Sequence, residues 1–191
     1  MMSQQLQQML ASDVLPADTV SFCKGILDYS LIQCAVSVEN VSLLGKGTYV
    51  CVFSPDEQEA LVEALGERPT CATVYQRCVI GGELYHTTTY AASVKRDCSC
   101  IMCDDGEAYC IRRIFKVTSA GSDRCLLLCK AVSCMESELP MPRHITECFI
   151  SPLRGVKAIK PSNVLAPCVF IDFKDEDQSY LCYLPNKYER D

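Results

Sequence analysis

From Cys71 onward the chain alternates apolar and polar positions with period two, interrupted at short intervals by glycine, proline and aspartate. Such alternation marks strands with one face against a core. "TCATVYQRCVI" and "ELYHTTTY" flank Gly81–Gly82, a dipeptide suited to a tight hairpin. "CSCIMC" and "EAYCIRRIFKV" flank Asp104–Asp105–Gly106 and read as a second hairpin. "RCLLLCKAVSC" reads as a fifth strand, and "HITECFI", "VKAIKP", "APCVFIDF" and "SYLCYL" add more. Pro140 and Pro142 mark an irregular loop ahead of His144. Many short strands with closely spaced turns predict an all-β barrel or sandwich over residues 71–184.

Upstream the pattern differs. Leu6, Met9 and Leu10 fall at i, i+3 and i+4, which predicts a short helix ended by Pro16. "VSFCKGILDYSLIQCAVSVENVSLL" is apolar and fits helix or strand, whereas "GTYVCVF" is β-branched and aromatic and favours a strand. "SPDEQEALVEALGERP" carries every local sign of a helix over 55–65. Ser54 and Glu57 have capping-box spacing, Pro55 sits at the first helical position and Gly66 at the stop. The fold expected is mainly β (α+β): a partly open β-barrel of short antiparallel strands preceded by one or two short helices. It is organised as an N-terminal helical or mixed segment (1–45), a strand and capped helix (46–70) and the barrel (71–191).

Composition narrows the class. Of 191 residues, 49% are hydrophobic and 22% charged, enough to build a core. No apolar run approaches the roughly 18–20 residues that span a bilayer. The opening "MMSQQLQQMLASDV" lacks the basic and apolar regions of a signal peptide. An intracellular protein, without a membrane partner, is therefore expected. The net charge of −6 is uneven, since residues 90–160 carry eleven basic and eight acidic side chains, a local +3. An acidic chain is a poor general ligand for phosphate backbones. A nucleic-acid face would need Lys95, Arg96, Arg112, Arg113 and Lys116 together, and neighbours such as Arg112 and Arg113 alternate faces on a strand.

Fifteen cysteines need a reason. Secreted disulfide scaffolds are shorter and usually even in cysteine count. Most cysteines here sit inside apolar runs, where free cysteine acts as a small hydrophobe. The densest group is Cys98, Cys100, Cys103 and Cys110. Cys100 and Cys103 have zinc-knuckle spacing, but no second pair accompanies them. On a hairpin, Cys98 and Cys100 face one way and Cys103 the other. Zinc ligation, a disulfide and strand packing all stay open for this group, and the pattern favours packing.

Catalysis finds little support. The two histidines, His86 and His144, sit in no cysteine-protease signature, and the chain holds no phosphate loop, His-Glu-x-x-His or Gly-x-Ser-x-Gly motif. A noncatalytic protein without a cofactor is expected. Tyr75, Tyr85 and Tyr90 are candidates for a peptide groove or a cage for methylated lysine; their alternative role is cross-strand packing.

The order of short motifs resembles the C-terminal accessory region of animal CACTA (En/Spm-like) transposase-related proteins. The matching positions are Tyr75, Arg77, Gly82, Tyr85, His86, Thr87, Tyr90, Lys95, Arg96, Asp105 and Gly106, with Pro185, Asn186, Glu189 and Asp191 at the end. "LLGKGTYVCVFSPDEQEALVEALG" is similar to the segment upstream, so the resemblance spans about 43–191. It implies a transposon-derived accessory β-domain without the nuclease core, acting as a nuclear module that binds protein or chromatin. By analogy of strand order the barrel also resembles bromo-adjacent-homology modules. Nucleic-acid binding through the basic face and a zinc-stabilised structural module are the alternatives.

Overall fold

The computed structural model describes residues 16–20, 34–91, 97–135, 144–150, 155–173 and 178–183. In chain order the elements are β1 (Cys34–Val38), β2 (Val41–Leu44), β3 (Thr48–Val50), α1 (Pro55–Leu65), β4 (Ala72–Tyr75), β5 (Arg77–Ile80), β6 (Glu83–His86), α2 (Thr88–Ala91), β7 (Cys100–Cys103), β8 (Ala108–Ser119), β9 (Ser122–Cys134), β10 (Ile145–Ile150), β11 (Val156–Ile159), a 3-10 turn (Pro161–Asn163), β12 (Val164–Phe173) and β13 (Gln178–Tyr183). Leu6, Met9 and Leu10 of the expected first helix lie outside the described residues. Pro16 opens a helical turn at 17–20, with the Val20 N–H bonded to its carbonyl. No helix among the described residues is long and apolar enough to cross a membrane.

The long β8–β9 hairpin organises the molecule. Its strands pair from Ala108↔Val132 at the open end to Ser119↔Ser122 at the tip. Each outer edge is shared by two neighbours. At the open end β7 pairs with β8 and β10 with β9. Pairing of β10 with β13, β13 with β12 and β12 with β7 then closes an antiparallel six-stranded ring. Toward the tip β4 takes the edge of β8 and β11 that of β9, giving an open sheet in the order β3-β4-β8-β9-β11. The fold is thus a partly open β-barrel, closed at one end of its longest hairpin and splayed at the other.

Three cores follow from this plan. The ring interior holds Cys100, Ala108, Cys110, Val132, Cys148, Cys168 and Leu181, drawn from all six strands. Side chains just fill an eight-stranded barrel, and a six-stranded one is narrower still, so small residues are what fit. Along the same face toward the tip, Phe115, Val117, Leu126 and Leu128 pack beneath Ala60 and Leu61 of α1. The opposite face, with Tyr109, Ile111, Ile114, Leu127 and Cys129, is covered by a second sheet in the order β1-β2-β5-β6, through Val38, Val41, Leu43, Cys78 and Tyr85.

Local chemistry sets the elements. Ser54 Oγ accepts from the Glu57 N–H, and the Glu57 carboxylate accepts from the Ser54 N–H at 2.9 Å. Gly66 closes α1 with φ 76°, its N–H on the Val62 carbonyl. Gly81 and Gly82 both take positive φ in the β5–β6 turn, where a side chain would be strained. The β8–β9 tip is held from outside: the Glu67 carboxylate accepts from the Ser119 hydroxyl and the Ala120 N–H.

Two irregularities depart from the regular alternation expected from sequence. "TCATVYQRCVI" is not one strand. It breaks at Gln76, whose carbonyl accepts from the Thr87 N–H at 2.9 Å and whose side chain takes the Thr87 hydroxyl. The break sends β4 to the large sheet and β5 to the small one, and lets Tyr75 and Cys78 enter the same core although they are three residues apart. The second is a bulge in β8. Ile111 pairs with Cys129 and Arg113 with Leu128, which leaves Arg112 as the extra, exposed residue and reverses the alternation beyond it. "ELYHTTTY" likewise stops being a strand at His86 and ends in the single turn of α2.

Candidate functional site

The cysteine group read from sequence does not converge. Cys100 and Cys110 lie inside the ring, while Cys103 faces the opposite core with Cys129 and Ile159. Cys98 precedes β7, half-buried, with its N–H donated to His86 Nε2 at 2.9 Å. Cys100 and Cys103 do take opposite faces, as alternation requires, and Cys98 lies before the strand, outside the ring core that holds Cys100. Among the described residues no three His, Cys, Asp or Glu side chains are placed to hold a metal ion. What the topology brings together instead is Cys100, Cys110, Cys148 and Cys168, one each from β7, β8, β10 and β12. Cys100 lies directly opposite Cys110 on one side and Cys168 on the other. Register across the ring is the signal that finds this group, and no local spacing contains it.

These thiols are poor nucleophiles where they sit. The hydrogen bond between the Cys100 and Cys110 thiols, together with burial, raises Cys100 well above the ordinary thiol value. Burial pushes Cys148 and Cys168 up to about 12. Cys103 and Cys125 reach about 12 for the same cause. Burial of an acid disfavours its charged form, and only the thiolate attacks.

The best-organised polar cluster lies at the β7–β8 turn. The Tyr109 hydroxyl donates to Asp105 Oδ2 at 2.8 Å, and Lys157 Nζ reaches the same carboxylate oxygen at 3.0 Å and the Tyr109 oxygen at 2.9 Å. Asn163 Nδ2 donates to Asp104 beside them. Burial would raise the Asp105 carboxyl, but bonds from Lys157, the Glu107 N–H and Tyr109 outweigh it and hold it below the ordinary range. Tyr109 is pushed up to about 12, mainly by burial. Lys157 is raised by Tyr109 and Asp105. Both keep their protons at neutral pH, and the cluster ties β11 to the β7–β8 turn. It borders a groove of about 290 Å³ that adjoins another of about 480 Å³, the two sharing Ala64 of α1 and Lys160. Their linings mix Glu39, Glu63, Asp104 and Asp105 with Arg124, Lys157 and Lys160, so no single-sign field gathers there.

The described members of the basic face are dispersed. Lys95 and Arg96 lie outside the described residues. Arg112 is the exposed bulge residue. Arg113 pairs with Glu57 of α1 at 3.3 Å, and Lys116 with Asp123 at 2.8 Å. Arg113 and Lys116 are three apart beyond the bulge and so take opposite faces. The aromatic groove does not form either. Tyr75 and Tyr85 are core residues, 4% and 2% exposed, and Tyr90 lies partly exposed against the His86 ring with the Arg77 guanidinium over it. His86 is buried, accepting at Nε2 from Cys98 and facing the Thr87 carbonyl through Nδ1 at 3.4 Å.

Exposed aromatic surface is found elsewhere, on the outer wall of the ring. Because Cys148, Cys168 and Leu181 point inward, Phe149, Val169, Ile171, Phe173 and Tyr180 point outward. Ile171 is directly opposite Tyr180, and the Phe173 and Tyr180 rings meet edge to face at 5.8 Å. Phe149, Ile171 and Phe173 are 42%, 41% and 46% exposed. No residue in this wall was marked by the sequence, because outward and inward apolar positions look alike until the register is known. Compared with protein-family models, curated proteins and solved structures, the chain matches none of them.

Proposed function

We propose that the protein is a noncatalytic binding module that engages a protein partner through the outer β10–β13–β12 wall of its barrel. The observation that carries this reading is the cluster of Phe149, Ile171, Phe173 and Tyr180, an apolar surface on strands whose inner face is already packed. Rigid aromatic side chains on a sheet are favourable contact surface. The protonated, buried thiols and the locked Tyr109–Asp105–Lys157 cluster support the noncatalytic half of the proposal. The resemblance of the motif order to CACTA transposase-related proteins extends the proposal to a transposon origin and a nuclear, chromatin-associated setting.

The test places a photo-crosslinking amino acid at Phe149 or Phe173 in cells, with Leu84 on the small sheet, 44% exposed, as the comparator. The reading expects one recurrent protein adduct from the wall, in the chromatin fraction, absent from the comparator and lost in a folded Phe149→Ser/Phe173→Ser variant. Equal adducts at Leu84, or none at the wall, would overturn it.

A further inference from the structure

The ring contains two cysteine pairs with the same cross-strand geometry and different access. Cys100 and Cys110 are directly opposite, bracketed by hydrogen-bonded pairs: the Ile111 N–H bonds the Ser99 carbonyl at 2.7 Å, and the Cys103 N–H the Glu107 carbonyl at 3.0 Å. Cys134 and Cys148 are also directly opposite, next to the bond from the Met135 N–H to the Glu147 carbonyl at 2.8 Å. Alternation of the antiparallel ladder then makes both of them non-hydrogen-bonded pairs, with Cα atoms about 4.5 Å apart. That is the short end of the range a disulfide bridges, roughly 4.4–6.8 Å. In the first pair both thiols are sealed in the core. In the second, Cys148 is buried but Cys134 is exposed at the mouth of the ring.

We propose that Cys134 and Cys148 form a reversible redox pair, with Cys134 as the sulfur that meets a low-molecular-weight disulfide and Cys148 as the resolving thiol. In the first step the Cys134 thiolate attacks glutathione disulfide, forming a Cys134–glutathione bond and releasing one glutathione thiolate. Cys148, a poor nucleophile toward free reagents but held directly opposite the mixed disulfide, then attacks the Cys134 sulfur, forming the Cys134–Cys148 bond and expelling the second glutathione, whose sulfur takes up the Cys148 proton. Two protein thiols are oxidised, and one glutathione disulfide is reduced to two thiols. Non-hydrogen-bonded strand partners already stand face to face, so the second step needs a rotamer change and no strand movement. The exposed Cys134 sulfur leaves the product open to reduction by thiols. It ties β9 to β10 at the mouth of the ring.

The test treats fully reduced native protein with glutathione disulfide, quenches with an alkylating reagent and maps peptides without reduction. The wild type should yield a Cys134–Cys148 cross-link while Cys100 and Cys110 stay alkylatable after denaturation. Cys148→Ser, with Cys148→Ala as a second variant in case the first fails to fold, should halt at glutathionylated Cys134. Cys134→Ser should lose both the cross-link and modification at Cys148. The wild-type arm alone is decisive. Glutathionylated Cys134 persisting with Cys148 free, Cys134 bonded to any other cysteine, or closure of Cys100–Cys110 at the same rate would each overturn the proposal.

Discussion

Enlarging one side chain inside the ring tests why cysteine is there. Cys168 is 2% exposed, lies opposite Cys100 on β7 and Tyr183 on β13, and shares its core with Ala108, Cys110, Val132, Cys148 and Leu181. Every ring strand already contributes to that core, and six strands leave no spare width. Cys168→Leu must therefore displace neighbours, at about 1–3 kcal/mol. Cys168→Ser keeps the size but introduces a more strongly polar group, at about 1–3 kcal/mol if its hydroxyl finds no partner. Cys51→Ser, at an exposed position, should stay within about 0.5 kcal/mol of the wild type. For a chain of this size each kcal/mol moves the melting temperature by roughly 2–4 °C. Scanning calorimetry under reducing conditions should place both Cys168 variants several degrees below the wild type and Cys51→Ser level with it. A Cys168→Leu variant as stable as the wild type would refute a narrow, filled ring.

Three further outcomes are expected. Alkaline pH should unfold the protein early. Cys103, Cys125, Cys148 and Cys168 sit at about 12 against an ordinary 9.0, so the unfolded chain sheds these protons first and stability falls as pH rises from about 9 toward 12. At pH 10 each costs about 1.4 kcal/mol, and urea midpoints that stay level from pH 8 to 10 would contradict this. Gly47→Ala should destabilise the β3–β4 edge, because a Cβ there would meet the Thr73 methyl and the Tyr75 ring; an unchanged midpoint would mean the edge yields freely. Ser54→Ala should cost about 1 kcal/mol by removing the cap of α1, read in the same urea assay, whereas Ser162→Ala, at an exposed hydroxyl, should be neutral.

Local signals in the sequence carried far in some places and not in others. The α1 helix occupies Pro55–Leu65, as expected, because its cap, proline and stop all lie within thirteen residues of each other. The Gly81–Gly82 and Asp104–Gly106 turns were legible for the same reason, since turn geometry is set by the turn residues. Ring closure was not, because the β12–β7 pairing joins segments some sixty residues apart, and only the register shows Cys100, Cys110 and Cys168 abreast. The bulge at Arg112 and the break at Gln76 each reverse which residues face inward. The break at Gln76 is why Tyr75, an apparent rim candidate, is a core residue beside Cys78, whereas Arg113 and Lys116 part company because three positions along a regular strand reverse the face. The aromatic wall of Phe149 and Phe173 was hidden because an exposed apolar strand face carries the same alternation as a buried one.

Site-resolved alkylation of the native, reduced protein tests the central claim most directly. Cysteine as barrel and core filler predicts fast labelling of Cys51 and Cys134 and protection of the eight thiols buried among the described residues, Cys78, Cys100, Cys103, Cys110, Cys125, Cys129, Cys148 and Cys168, until denaturant is added. Labelling of Cys100, Cys110 and Cys168 in the native state at the rate of Cys51 would contradict a closed, thiol-packed ring.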